Sequence, residues 1–307
     1  MGNAAIAVFD AEQTARLLDF PSLVSRLSQA TLDYAAGAIH APERQAVPFP
    51  NGGVMLSMPA TAADIGIHKL VNVIAANRDK GFPTINGIVS AYDGATGQTL
   101  FVMDGPTVTA RRTAAISMLG LKTFLKTAPK RVGLIGTGTQ SEGHVQALAA
   151  LFPQIQIAIT GSRREKAQAF CLKHQHLPVQ WEACTRLPDD LDAVITLTTS
   201  QTPVYCAPAM AGRLVIGVGA FQADCAEIHA STLLASQVYV DDLAGAHHEA
   251  GDIILAKADW NTIKPLSDAL SNGVDFTRPI VFKTVGCAAW DLAAARCALS
   301  NLNRMAN

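Results

Sequence analysis

Apolar residues change their spacing three times along this chain, and each change marks a different kind of element. From Phe20 to Ala36, Leu23, Leu27, Ala30 and Tyr34 recur at helical spacing and Pro21 suits a first turn, so an amphipathic helix is expected. From Pro48 the runs shorten. Val54-Met55-Leu56, Ile67-His68-Lys69-Leu70-Val71, Gly87-Ile88-Val89 and Leu100-Phe101-Val102 are bounded by Gly, Pro, Asn and Asp, a pattern of short strands in one sheet. Asp93-Gly94-Ala95-Thr96-Gly97 supplies hairpin-turn chemistry between two of them. A helix is expected from about Thr109 to Lys122, with Ala114, Ala115, Met118 and Leu119 on one face.

After Pro129 the order becomes strand, helix, strand. Val132–Ile135, Ile155–Thr160, Ala193–Thr198, Leu214–Val218 and Val238–Val240 read as buried strands, Ser141–Leu151 and Glu165–Lys173 as helices, and Ile280–Phe282 as a last strand. Near-continuous apolar strands separated by helices imply a parallel sheet covered on both faces. The Ala-rich stretch Ala288–Leu302 is expected to be a helix that packs back on the first part of the chain.

Length and composition narrow the class. A chain of 307 residues exceeds the usual single domain, and 49% hydrophobic with 16% charged residues describes a well-buried globular enzyme. A net charge of −1 provides no field for nucleic acid or an anionic membrane. Met1–Asp10 lacks the pattern of a signal peptide, and no apolar run of the length of a membrane span is present. The six cysteines form no CxxC pair, so buried free thiols in a reducing cytoplasm are expected. His247-His248 offers adjacent, diverging side chains and no further ligand set, so no metal site is expected. Trp181, Trp260 and Trp290 read as packing residues, and His68 as a hydrogen-bonded wall.

Candidate chemistry begins at Arg131-Val132-Gly133-Leu134-Ile135-Gly136-Thr137-Gly138-Thr139-Gln140-Ser141, a strand entering a Gly-rich turn and then a helix. Gly136 permits the tight turn, and Gly138 lets the backbone approach a pyrophosphate on the helix N-terminus. Ser141, small, stands at the third glycine position. The turn from Gly136 through Thr137, Gly138 and Thr139 to Gln140 is the expected dinucleotide site; the competing reading is an ordinary tight βα turn. Past the second strand stands Thr160-Gly161-Ser162-Arg163-Arg164, with no carboxylate until Glu165. A hydroxyl and guanidiniums suit a 2′-phosphate, so Ser162 and Arg163 favour NADPH, with NADH possible; the alternative is solvated arginines at a helix start.

Several cations stand in the first part of the chain: Arg44, Lys69, and the pair Arg111-Arg112. Lys69 lies within an apolar run, where an ammonium needs an anion, either a protein carboxylate or a substrate carboxylate. For any one of these residues alone, a structural salt bridge is the plainer reading.

Taken together, the segments His68-Lys69-Leu70-Val71-Asn72, Thr109-Ala110-Arg111-Arg112-Thr113-Ala114-Ala115, Gly136-Thr137-Gly138, Gly217-Val218-Gly219-Ala220, Val240-Asp241-Asp242, Glu249-Ala250-Gly251-Asp252 and Lys283-Thr284-Val285-Gly286 followed by Asp291 resemble the ornithine cyclodeaminase/mu-crystallin family over nearly the whole chain. The resemblance implies an α/β fold: a substrate-binding and dimerisation domain of α+β type over 1–112, a Rossmann domain with a parallel sheet over 113–286, and a C-terminal helix, 287–307, returning to the first domain. It implies a cytoplasmic homodimer. It places Arg44, Lys69, Thr84 and Arg112 in the substrate pocket, with Lys69 and Arg112 closest to the chemistry and Arg111 structural. Ornithine cyclodeaminases carry an aspartate at the position matching Phe221, whereas Asp224 falls where the ketimine reductases of the mu-crystallin type have theirs. The implied activity is therefore NAD(P)H-dependent reduction of a small cyclic imino acid, Δ1-pyrroline-2-carboxylate or Δ1-piperideine-2-carboxylate. In that reaction Lys69 is either the proton donor or a plain carboxylate ligand. The alternatives are an ornithine cyclodeaminase, an amino-acid dehydrogenase, or a non-catalytic NADP-binding protein like the crystallins.

Overall fold

The structure, a computed structural model, describes residues 5–50 and 52–306. The described residues divide into two compact units, one containing the chain up to Arg112 and again from Cys287, the other Thr113–Gly286.

The first unit is built on a six-stranded sheet: β1 (Ala7–Phe9), β2 (Gln45–Pro48), β3 (Val54–Thr61), β4 (Ile65–Val73), β5 (Ile85–Asp93) and β6 (Thr99–Asp104), in the order β1-β6-β5-β4-β3-β2. All neighbours are antiparallel except β1 with β6. The β5–β6 turn is held by Asp93 Oδ1, which accepts from Ala95 N, Thr96 N and the Thr96 hydroxyl, and Gly97 adopts φ 71°. Helices α1 (Ala11–Leu17) and α2 (Phe20–Ala35) precede β2. Asp19 accepts from Ser22 N at 2.9 Å and caps α2, and Leu23, Leu27 and Ala30 are buried as the periodicity requires.

The C-terminal helix, Ala288–Ala306, packs on α2 and on β3 and β4, so chain ends far apart in sequence share one core. The Tyr34 ring meets Trp290 edge-on at 6.0 Å, and Asn301 Nδ2 donates to the Leu17 carbonyl and to Asp19 Oδ2, both at 2.9 Å.

Along β4 the inward positions are Ile65, Ile67, Lys69 and Val71, alternating with Gly66, His68 and Leu70 on the other face. Lys69 thus occupies a core position in a two-residue repeat, beside Met58 of β3 and Val89 of β5. His68, pointing the other way, shares a 2.8 Å hydrogen bond with the Ser57 hydroxyl of β3.

Helix α3 (Gly105–Phe124) carries the boundary between the units. It starts four residues before the expected Thr109, because the Asp104 carboxylate accepts from Thr107 N at 2.8 Å and stabilises an earlier first turn.

The second unit is an eight-stranded sheet of β7 (Arg131–Ile135), β8 (Gln156–Thr160), β9 (Gln180–Ala183), β10 (Ala193–Thr196), β11 (Leu214–Gly217), β12 (Gln237–Val240), β13 (Lys264–Pro265) and β14 (Ile280–Lys283). Every pairing is parallel, in the order β13-β12-β14-β11-β10-β7-β8-β9. Helices α4 (Thr139–Leu151), α5 (Arg164–Lys173), α6 (Ala230–Leu234), α7 (Leu243–Glu249), α8 (Gly251–Leu255) and α9 (Leu266–Asn272) lie between strands. This is the Rossmann-type α/β arrangement, and its central strands β10, β11 and β14 are buried throughout.

Two strands end earlier than their apolar runs. β10 stops at Thr196, short of the expected Thr198, because Thr198 N donates to the Glu227 carboxylate at 2.6 Å. β11 stops at Gly217, and Gly219 N and Ala220 N turn to the same carboxylate.

Candidate active site

In the first unit the core position at Lys69 is balanced by Asp291 of the C-terminal helix. Lys69 Nζ donates to Asp291 Oδ1 at 3.1 Å and Oδ2 at 3.3 Å. Arg112 Nε stands 3.5 Å from Asp291 Oδ1 without completing a hydrogen bond among the described residues. Asp291 is fully buried, Lys69 is 2% exposed and Arg112 6%. Two cations therefore share one carboxylate, and the buried cluster lacks one negative charge. Burial pushes the Lys69 ammonium down to about 8 from 10.5; Asp291 holds it up, while Arg112 and Arg44 push it further down.

The structure thus brings Lys69 and Arg112 together and sets Arg44, half-buried just before β2, close enough to act on Lys69 through its charge. Thr84 is half-buried where the chain enters β5, its carbonyl accepting from Ile74 N at 2.8 Å. Register pairs Ile85 with Val73, so Thr84 lies beyond the end of β4, roughly 17 Å along the sheet from Lys69 at the usual rise per residue. Arg111 turns elsewhere: its Nε donates to the Leu18 carbonyl at 2.8 Å and its guanidinium lies 4.0 Å over the Phe20 ring.

Asp291 entered the sequence reading only as part of the family resemblance, with no role of its own, yet the signal was present. It is a lone carboxylate in the apolar run Ala288-Ala289-Trp290-Asp291-Leu292-Ala293, as Lys69 is a lone ammonium in its own run. Each such charge needs a partner, and here each is the other's.

In the second unit the Gly-rich turn joins β7 to α4. Gly136 has φ 122°, and a side chain there would meet the Leu197 carbonyl oxygen at 2.6 Å, so both backbone and packing require glycine. Its amide donates to the Thr160 carbonyl of β8 at 2.9 Å. Gly138 is different. It is the N-cap of α4 with φ −92° and ψ −171°, and a Cβ there would meet nothing within 4 Å. Nothing among the described residues demands glycine at 138, and the open space against the helix N-terminus leaves room for an anionic group such as a pyrophosphate. Ser141 is buried and its hydroxyl donates to the Gly136 carbonyl at 2.9 Å, tying helix to turn. The Thr137 side chain lies against Gly161, Thr139 is exposed in the first helical turn, and Gln140 contributes its carbonyl to His144 Nδ1 at 2.7 Å.

At the end of β8, Ser162 and Arg163 are both exposed. Arg163 is the N-cap residue of α5 in extended conformation, and its side chain makes no capping bond, as expected of a group that only donates. The strand order places β7 beside β10, with β8 and β9 on one side and β11 and β14 on the other, so the chain reverses direction across the sheet at the turn that holds Gly136 and Gly138. Ligands of such sheets bind in the crevice at that point. Phe221, 45% exposed, lies beyond the end of β11 with Asp224 on the same exposed loop.

The sequence profile of the ornithine cyclodeaminase/mu-crystallin family matches residues 7–305. The chain is 52% identical over 303 residues to Δ1-pyrroline-2-carboxylate reductase 2 of Burkholderia ambifaria, covering 97% of this chain and 96% of that one. It is also 52% identical over 298 residues to a Δ1-pyrroline-2-carboxylate/Δ1-piperideine-2-carboxylate reductase of Azospirillum brasilense, covering 95% of each. In fold it superposes with a TM-score of 0.87 on the Δ1-pyrroline-2-carboxylate reductase of Thermococcus litoralis, solved with NADH and L-proline, at 23% identity and 98% coverage of both chains. The chain belongs to the ornithine cyclodeaminase/mu-crystallin family.

Proposed function

We propose that this protein is an NAD(P)H-dependent reductase of cyclic ketimine acids, converting Δ1-pyrroline-2-carboxylate to L-proline and Δ1-piperideine-2-carboxylate to L-pipecolate. The observation that carries the reading is the buried Lys69–Asp291–Arg112 cluster, which lacks the one negative charge that a monocarboxylate substrate brings. Two near-full-length relatives at 52% identity, both named for Δ1-pyrroline-2-carboxylate and one also for Δ1-piperideine-2-carboxylate, support the rest of the assignment.

Arg112 presents a planar fork to the substrate carboxylate, and Lys69 and Arg44 add positive charge around it. A reduced dinucleotide whose pyrophosphate is held at the Gly136–Gln140 turn would supply the hydride for the carbon of the C=N bond. The nitrogen must gain a proton in the same conversion. Lys69, near 8 and held by Asp291, keeps its proton at neutral pH; in this reading it either donates that proton to the imine nitrogen or serves as a plain ligand of the substrate carboxylate.

NADPH is the preferred cofactor in this reading, since the exposed Arg163 and Ser162 follow β8 where an NAD enzyme would carry a carboxylate. The first unit mediates a homodimer through the sheet face that carries Val47, Met55, Leu70 and Ile88, of which Val47 is 57% and Ile88 45% exposed. Among the described residues no helix is long and apolar enough to cross a membrane. The cytoplasm, which supplies reduced nicotinamide cofactor, is the location this reading assigns.

The test is NADPH oxidation across pyrroline, piperideine and linear imine acids, run beside L-ornithine with NAD. Turnover of the cyclic imines supports the proposal. Turnover of ornithine alone, or binding without turnover, contradicts it.

A further inference from the structure

Glu227, between Ala226 and Ile228, is fully buried and its carboxylate is saturated. Oε1 accepts from Thr198 N at 2.6 Å and the Thr198 hydroxyl at 2.8 Å; Oε2 accepts from Gly219 N at 2.6 Å and Ala220 N at 3.0 Å. These donors belong to two turns, one after β10 and one after β11. We propose that Glu227 is a positioning residue that fixes the nicotinamide-side wall of the cofactor crevice by tying the turn after β10 to the turn after β11. The proposal rests on the dinucleotide reading of the Gly136–Gln140 turn.

Three observations lead to it. First, the turns touch one another and the glycine turn. A Cβ on Gly219 would collide with the Thr198 carbonyl, and one on Gly136 would meet the carbonyl of Leu197, the residue before Thr198. Whatever sets Thr198 therefore sets one side of the space above Gly136. Second, β7 and β10 flank the point where the sheet reverses. A dinucleotide lying there puts its adenosine ribose toward the end of β8 and its pyrophosphate on α4, which leaves the strands on the other side, β10 and β11, for the nicotinamide half. Third, Glu227 is itself anchored. Its amide and that of Ile228 donate to Asp252 Oδ1 at 2.6 and 2.8 Å, and Asp252 pairs with Lys283 Nζ at 3.0 Å, both buried, at the last residue of β14.

A carboxylate accepting four bonds presents no donor to clash with those amides. A carboxamide at 227 would turn an NH2 group toward donors and release one of the two turns. The effect should fall on the nicotinamide half of the ligand and spare the adenosine half.

Calorimetry of NADPH and of 2′-phospho-ADP-ribose, which lacks nicotinamide, against wild type, Glu227→Gln and Thr198→Val reads this directly. Glu227→Gln should weaken NADPH by about tenfold or more and 2′-phospho-ADP-ribose by less than about twofold. Thr198→Val, which removes the hydroxyl that donates to Glu227 and accepts from Ser200 N at 3.3 Å but keeps the Thr198 amide bond, should show the same selectivity with a smaller loss. Equal losses for the two ligands would mark Glu227 as a general support of the fold, and no loss would remove it from the crevice; either result overturns the proposal. If Glu227→Gln does not fold, the ratio measured on Thr198→Val decides in the same way. Failure of the wild type to bind NADPH, NADH or 2′-phospho-ADP-ribose would instead overturn the dinucleotide reading on which the proposal stands.

Discussion

The ammonium of Lys69 lies 3.1 and 3.3 Å from the two carboxylate oxygens of Asp291, a residue 222 positions further along the chain. This pair joins a strand of the N-terminal sheet to the C-terminal helix and fills a core position with charge. Asp291→Asn leaves Lys69 and Arg112 as buried cations without an anion. Loss of one partner of such a pair costs about 3–5 kcal/mol, so thermal unfolding should move to clearly lower temperature. The pH profile gives a second readout. Asp291 raises the Lys69 pKa against the larger effect of burial, so in the variant the alkaline limb of kcat/KM should move to lower pH than in the wild type. Imine titration is common to both proteins and cancels in the comparison. An unchanged limb would separate Lys69 from the proton step.

Stability and activity should respond to Lys69 in opposite directions. Its folded value, about 8, lies below the ordinary 10.5, so the unfolded chain binds more protons between those values. The cost of burying the ammonium is fully present below about 8 and fades as pH rises toward 10.5, while activity falls over the same range. Lys69→Met should flatten this alkaline rise in stability; a variant with the wild-type slope would contradict it.

His144 governs the acid side. It is buried between the Ser117 hydroxyl, 2.9 Å away, and the Gln140 carbonyl, and burial lowers it to about 4 from 6.5. The unfolded chain therefore binds the extra proton between those values, and stability should fall as pH drops from 6.5 toward 4, by at most ~3–4 kcal/mol. Denaturant unfolding of His144→Gln should lose this slope. A slope equal to the wild type would assign acid lability to other groups.

How much of this was legible in the sequence follows from what each residue must satisfy locally. Gly136 and Gly138 sit beside an apolar strand and ahead of a helix, and these local features marked the turn. The buried strands β7, β10, β11 and β14 announced themselves as apolar runs. The edge strands did not. β2 is exposed at every residue, β9 carries Gln180 and Glu182 outward, and β1 and β13 are three and two residues long, so none has a buried face to impose a period. Lys69 and Arg112 were visible as cations in unusual places, but their shared carboxylate was not, because pairing across 222 residues leaves no local spacing. The role of Glu227 was hidden for the opposite reason: three of its four donors are main-chain amides, which any sequence supplies.

Cofactor choice should turn on Arg163. Replacing it with Asp should raise the KM for NADPH far more than that for NADH, since one charge-assisted phosphate contact contributes about 1.5–3 kcal/mol. Equal effects on both cofactors would remove Arg163 from the phosphate site.

Phe221, exposed beyond β11, offers neither charge nor hydrogen bond to a substrate amine. Incubation with L-ornithine and NAD should therefore release no ammonia above background. Sustained formation of ammonia and proline would overturn the reductase assignment.

The most direct test of the account is the steady-state comparison of wild type with Arg112→Lys on Δ1-pyrroline-2-carboxylate, with NADPH binding measured on the same samples. Lysine keeps the charge beside Asp291 but lacks the planar fork that grips a carboxylate and aims the imine carbon. The account predicts a fall in kcat/KM of about 10²-fold or more with NADPH affinity near the wild-type value, because a misplaced reacting atom carries a penalty of that order. Near-normal turnover in Arg112→Lys would show that the substrate carboxylate binds elsewhere and would contradict the central claim.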